Sequence, residues 1–293
     1  GSLRFVMYHY VREFDADFPY LRYLNFYDFK RQLDYFEEHY SFPTPQQLVQ
    51  FLGGDHEALP QDKPNIVLTF DDGLTDHFDY VFPELRRRGL WGIFYIPSAP
   101  YVNREQLLGV HAVHALLGRY SPKELVQRAE ELLSDLPESV SAEQIREFKS
   151  VTYTADMQVN DDATAAFKRL LNYFLSGDTK TRLLSALIAE YFPGGDKRLA
   201  EIWYMNTENL KNMQAAGMLL GAHSVSHPVL STLSREEQHH EIKSSLQFIS
   251  NLSGRSGHPL TFSFPYGGAS TYNTDTLEIL DQCSCLFTVD VDP

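Results

Sequence analysis

Residues 66–73 read Ile66-Val67-Leu68-Thr69-Phe70-Asp71-Asp72-Gly73. Five apolar or β-branched residues run straight into two adjacent carboxylates and a glycine. An apolar run this short, bounded by Pro64-Asn65 and Gly73, predicts a buried strand of a parallel sheet. Asp71 and Asp72 then stand where the strand ends, the place that carries the chemistry in open α/β sheets and α/β barrels. Two neighbouring carboxylates repel if both are ionised in a dry site. A bound cation removes the repulsion, with one carboxylate as ligand and the other left as a base. A strand followed by a plain Asp-Gly turn is the bland alternative.

Outward from this stretch the pattern is strand, helix, strand. Residues 3–8 read as a strand ending at His9. Asn25 caps a helix through about His39, and Thr44-Pro45 opens a second helix that ends near Gly53. After the central strand a helix runs to Arg88, where Gly89 stops it, and Leu90–Pro97 is the next strand. This is the signature of parallel βα units. Between about 102 and 199 no strand is visible, and helical periodicity recurs in 104–118, 122–136, 141–149, 161–176 and 179–192. The βα pattern resumes near Trp203, with strands at Met218–Ala222, Leu260–Phe264 and Cys285–Val289. Helices cover Thr207–Ala216, Ser234–Asn251 and Thr274–Gln282. The expected division is an α/β barrel from 3–99 and 204–293, and an all-helical insertion at 100–203 that offers either a lid or an oligomerisation surface.

With 293 residues, 43% hydrophobic and 13% aromatic, the chain can bury a sizeable core. A formal net charge of −14 argues against nucleic acid or anionic membrane as the main partner. No window reaches the roughly 20 apolar residues of a membrane span. Cys283 and Cys285, spaced C-x-C, suit neither a disulfide framework nor a structural zinc site. No signal peptide opens the sequence, which favours a cytoplasmic location. Gly1-Ser2 looks like a cloning remnant, so a removed leader, and with it a periplasmic or extracellular location, stays open.

Four strand ends offer functional groups: His9, Asp71-Asp72, His223 and Tyr266. His227 follows His223 by four residues, in His-Ser-Val-Ser-His-Pro. Two imidazoles and a carboxylate make a sound ligand set for a catalytic divalent metal, with positions left open for water and substrate. One helical turn over 223–227 would face both rings the same way. Pro228 disfavours helix at His227, so a tight loop serves equally.

Here the sequence resembles a family. Thr69-Phe70-Asp71-Asp72-Gly73, His223-Ser224-x-x-His227 and Phe264-Pro265-Tyr266-Gly267 are similar to the first three motifs of the polysaccharide deacetylases, the NodB-homology or carbohydrate esterase 4 group. The resemblance covers roughly residues 60–98, 203–250 and 258–292. It implies a distorted (β/α)7 barrel and a divalent metal, zinc by ligand type, held by Asp72, His223 and His227. It further implies Asp71 as general base, the Tyr266 backbone N–H as oxyanion donor, and Pro265 and Tyr266 against the substrate. The family's usual proton-donating histidine after the last strand has no counterpart. His9 fits that role in the circularly permuted branch that resembles poly-N-acetylglucosamine deacetylases. A second departure is Ser263, where the family usually carries an arginine that orients the catalytic aspartate. A fourth motif is hinted at only by Asp290 and Asp292.

The function so implied is hydrolysis of N-acetyl groups from an amino sugar of a bacterial surface polysaccharide or its precursor. The rivals are a catalytically impaired metal- and glycan-binding scaffold, and a hydrolase of another amide. His111 with His114, and His239-His240, read as helix-surface residues. Trp91, Trp203 and Tyr204 read as core before sugar-stacking platforms. Asp76 and His77 are candidates for orienting a ligand from behind.

Overall fold

The computed structural model describes residues 2–102, 107–135, 161–171, 175, 177–254 and 259–291. Six strands, each parallel to the next, build one sheet: β1 Leu3–Tyr8, β2 Asn65–Asp71, β3 Gly92–Ile96, β4 Leu219–Ala222, β5 Thr261–Ser263 and β6 Phe287–Val289. The hydrogen-bonded order follows the chain from β1 to β6. The rings of Phe5 on β1 and Phe287 on β6 lie 5.8 Å apart, so the two end strands face each other and the barrel is nearly closed. Seven strands were expected. Among the described residues six form the sheet, and side-chain packing between Phe5 and Phe287 fills the remaining gap.

Strand residues alternate between two faces. Val67, Ile93 and Tyr95, with Leu3, Phe5, Leu219, Phe287 and Val289 packed on them, form the inner cluster. Inside it the Tyr95 hydroxyl meets Thr261 Oγ1 at 2.6 Å. The other face carries Leu68, Phe70, Phe94, Leu220 and Phe262, packed against helical Phe29, Leu33, Leu85, Met213 and Ile242. Tyr8, Phe70 and Phe94 stack in sequence, 5.3 and 4.7 Å between ring centres. Each such fully buried side chain contributes roughly 1.5–3 kcal/mol. The alternation has a consequence for chemistry: Val67, Thr69 and Asp71 share the inner face, so Asp71 is delivered to the barrel mouth.

Helix ends follow the expected local chemistry. Asn25 caps Phe26–His39, and Thr44/Gln47 and Ser234/Glu237 make capping boxes for Pro45–Leu52 and Arg235–Ser253. Gly89 ends Phe82–Arg88 at φ 69°. The single helix expected up to Arg88 opens instead with a π-helical turn, His77–Val81, in which the Phe82 N–H reaches the His77 carbonyl. Pro83 has no N–H to donate into a regular turn, and the wider turn absorbs that loss.

The chain divides into two units, one of residues 1–13, 23–104 and 201–293, which holds the barrel, and one of 14–22 and 105–200. In the second unit the described helices are Gly109–Arg119, Pro122–Asp135, Asp162–Arg169, Gly177–Tyr191 and most of Gly195–Trp203. Leu116, Leu125, Phe167, Leu183 and Leu187 are buried there. Residues 14–22 belong to it: the Tyr20 N–H donates to the Gly118 carbonyl at 2.8 Å and Phe18 stacks on Phe192. The helix expected at 141–149 lies outside the described residues. Among the described residues no helix is long and apolar enough to cross a membrane.

Candidate active site

Three strand ends converge at the mouth. β2 delivers Asp71 and Asp72, each 2% exposed. β4 ends at His223, and the chain then turns through Ser224–His227 in a tight loop rather than a helical turn, with Ser224 and His227 both at φ 60°. β5 ends at Ser263, and the turn beyond it holds Tyr266 at φ 65°. Asp72 itself sits at φ 83°. Of the five non-glycine residues with left-handed φ among the described residues, these four line the mouth. Each costs of order 1–3 kcal/mol, so the surroundings must over-determine the loop.

Glu241, from helix Arg235–Ser253, does much of this. Its Oε2 accepts the N–H groups of Val225 and Ser226 at 2.8 and 2.9 Å, and its Oε1 accepts the Ser226 hydroxyl at 2.7 Å. Ser224 Oγ accepts the His227 N–H at 3.0 Å. The histidine loop is thereby clamped from behind.

The donor set fits a divalent metal. Asp72, His223 and His227 bring one ligand atom each to within 4.8 Å of one another, all buried. His223 Nε2 and His227 Nε2 each lie 3.4 Å from Asp72 Oδ1. Donors about 2.1 Å from one tetrahedral ion stand about 3.4 Å apart. His223 donates Nδ1–H to the Ser263 carbonyl at 2.8 Å, which leaves the lone pair on Nε2, a buried atom with no hydrogen-bond partner. A histidine ligand is prepared in this way when its other nitrogen is anchored. One buried acceptor of Asp71, Oδ1, also has no hydrogen-bond partner.

Asp71 stands beside this donor set. Its Oδ2 accepts the Ser263 hydroxyl at 2.8 Å and lies 3.9 Å from His223 Nε2. Asp71 is on β2 and Ser263 on β5, so this bond spans the mouth of a narrow barrel. Burial raises the Asp71 carboxyl above the usual carboxylate range. The Asp72 charge adds to the rise, while His223, His9 and the Ser263 hydroxyl oppose it. Burial alone pulls the His223 ring down, but Asp71 and Asp72 outweigh it and the ring sits above its ordinary value. The mouth is a buried negative field of the kind a cation satisfies.

His9 approaches from β1 with Nε2 3.9 Å from Asp72 Oδ2, its side chain 41% exposed. His77 is fully buried, held down to about 4 by that burial, and its Nε2 meets the His9 carbonyl at 2.8 Å. Arg12 forks onto Asp76 at 2.6 and 2.8 Å. Asp76 and His77 therefore support the His9 segment rather than a metal ligand. Pro265 is buried. The Tyr266 ring, 37% exposed, lies 4.8 Å from the His227 ring. Gly267, at φ 62°, packs so closely on Val291 that a Cβ would overlap it.

Of the remaining candidates, Tyr204 forms a β-bridge with Leu74, just beyond Gly73. Trp203 and Tyr204 are buried, and the Trp91 Nε1–H donates to the Pro43 carbonyl at 2.8 Å. His239 and His240 are exposed on their helix. His111, expected on a helix surface, is fully buried in the helical unit. Asp290 accepts the Tyr272 hydroxyl, and Asp292 lies outside the described residues. Glu241 was missed. The signal that could have found it is a carboxylate set among the buried positions Gln238, Ile242, Ser245 and Ile249 of an otherwise charged helix.

Residues 183–286 match the sequence profile of the polysaccharide deacetylase family, a span that takes in His223, His227, Ser263 and Tyr266 but not β2. No curated protein sequence matches the chain. Among solved structures the chain is similar to the deacetylase PplD of Streptococcus pyogenes, at 16% identity and TM-score 0.57, over 100% of this chain and 84% of that one. It is similar to IcaB from Ammonifex degensii at 16% identity and TM-score 0.53, over 97% and 81%. A de-N-acetylase from Aggregatibacter actinomycetemcomitans aligns at 12% identity and TM-score 0.55, over 98% and 87%. These three likenesses concern the fold. The profile match spans the histidine loop and the third motif, and over residues 183–286 the chain is similar to the polysaccharide deacetylase family.

Proposed function

We propose that the protein is a metal-dependent carbohydrate N-deacetylase, hydrolysing the N-acetyl group of an amino sugar in a surface polysaccharide or its precursor to a free amine and acetate. The observation that carries this reading is the buried Asp72–His223–His227 group with Asp71 beside it at the barrel mouth. Those three residues would hold a divalent cation, zinc by its nitrogen and oxygen donors. When bound, the ion supplies Lewis acidity toward the acyl oxygen and the attacking water.

The chain's own residues do the rest. Asp71, steadied by the Ser263 hydroxyl, takes the proton of the attacking water. The backbone N–H of Tyr266 faces the oxyanion of the tetrahedral intermediate. His9 gives a proton to the sugar nitrogen as the C–N bond breaks, because an amide nitrogen leaves poorly without one. The exposed Tyr266 ring meets the sugar. Ser263 answers the loss of the family's usual arginine, since it keeps a donor on Asp71.

The test is acetate release by zinc-loaded protein from a panel of N-acetylated sugars and oligosaccharides, with Asp71→Asn beside it. Release that falls by roughly 10²–10⁴ in Asp71→Asn is the expected result. No release from any substrate by a protein that holds zinc would move the assignment to a binding role or another acyl group.

A further inference from the structure

The β1–β2 ladder ends at the pair Tyr8–Phe70. Beyond it the chain leaves the sheet, and backbone pairing with β2 no longer fixes the next residue, His9. Two buried side-chain links act on it, beside a two-rung parallel pairing of Val11–Arg12 with Leu24–Asn25 further along. His77 Nε2 lies 2.8 Å from the His9 carbonyl and donates to it. Arg12 places Nε 2.8 Å from Asp76 Oδ2 and Nη2 2.6 Å from Asp76 Oδ1. His77 is 0% and Asp76 4% exposed. Both stand at the start of the helical segment that follows Asp71-Asp72, His77 in its π turn, a feature often found at functional sites.

Stability alone does not call for this arrangement. A buried ion pair is often no better than well-packed apolar residues of the same volume. A bidentate fork does fix direction, and both links join the segment carrying His9 to the segment carrying Asp71 and Asp72.

From this geometry we infer that His77 and the Arg12–Asp76 pair are positioning residues that hold His9 over Asp72, so that its proton meets the leaving amine. The inference rests on the reading of His9 as general acid. In the step concerned, the C–N bond of the tetrahedral intermediate breaks, the nitrogen takes its proton from His9, and the acyl carbon leaves as acetate. The hydroxyl proton of the intermediate is lost as acetate forms. Of this proton and the one Asp71 took from water, one restores His9 and the other exits to solvent, so the step balances.

The experiment compares two probes on the zinc-loaded full chain: chitopentaose, whose amide nitrogen must be protonated to leave, and 4-nitrophenyl acetate, whose phenolate leaves without a proton. The variants are His9→Ala, His77→Phe, His77→Gln and Asp76→Asn, each with its thermal midpoint and zinc content recorded. His77→Phe and Asp76→Asn are expected to lower kcat on the amide about 10- to 100-fold, with KM within about twofold and the aryl acetate rate nearly unchanged. His77→Gln, whose amide N–H can reach the same carbonyl, should recover most of the loss. Equal losses on both probes, or no loss on the amide, would overturn the inference while leaving the function intact. If His9→Ala fails to depress the amide rate selectively, or wild type cleaves only the aryl ester, the reading of His9 falls and the inference with it.

Discussion

The two halves of the barrel mouth are held by different means. The ligand half, Asp71, Asp72, His223, His227 and Ser263, is buried and placed by strand register: alternate residues of β2, β4 and β5 face inward, and left-handed turns at Asp72, Ser224 and His227 aim the side chains. The other half, His9 through Arg12, which carries the proposed acid, lies past the last rung of β1. It is placed by side-chain links to His77 and Asp76 and by a two-rung parallel pairing of Val11–Arg12 with Leu24–Asn25, with the His9 ring 41% exposed. The ligand half is therefore fixed by the fold before any cation arrives. The half that carries His9 depends on one short pairing and a few polar contacts, and in the proposed role His9 meets a substrate and exchanges protons with solvent, which requires it to stay half open.

Substitutions can break or sharpen this contrast. The largest effect belongs to the ligand half: His223→Ala should lower retained zinc from about one ion per chain to near zero by elemental analysis, and acetate release with it. Next comes the clamp behind it. Glu241→Ala removes the acceptor for two backbone N–H groups and a hydroxyl, and zinc affinity by competition titration should weaken about 10- to 100-fold. Unchanged affinity would mean that the loop holds its left-handed turns unaided. Ser263→Ala is smaller, about tenfold in kcat with zinc content unchanged, since one hydrogen bond to Asp71 is lost and the His223 anchor is a backbone carbonyl. A comparable loss of zinc would show that base and ligands are not separable.

The smallest effect should fall on neither half. Glu84 is held down to about 2, first by the hydrogen bond from Arg87 and then by Arg88. Arg88 also bridges to Asp34 and Glu37 on helix Phe26–His39. A carboxyl depressed in the folded state stabilises it above the unfolded value, near 4.5, and loses that contribution as pH falls from there through about 2. Denaturation midpoints should therefore drop between about pH 5 and 2 in wild type, and Glu84→Gln should remove part of that dependence without touching zinc content at neutral pH.

What could be read in the sequence was local. The strand into Asp71-Asp72, the helix caps at Asn25, Thr44 and Ser234, and the histidine spacing each depend on residues within a few positions of one another. The contacts that complete the site are not local. Glu241 reaches back 16 residues to Val225, His77 joins His9 across 68, and Ser263 joins Asp71 across 192. Ser263 was visible only as a missing arginine, because its hydroxyl matters only once the barrel narrows enough for β2 and β5 to touch across it. The π turn at His77 and the membership of residues 14–22 in the helical unit left no periodic signal, since neither alters an apolar stripe.

The central claim is that Asp72, His223 and His227 form a metal centre at the barrel mouth. A zinc-edge anomalous difference map of zinc-loaded crystals tests it most directly. The expected result is a single strong peak at about 2.0–2.2 Å from an Asp72 carboxylate oxygen and from Nε2 of both histidines. A map with no peak there, or with its strongest peak on other residues, would contradict the account.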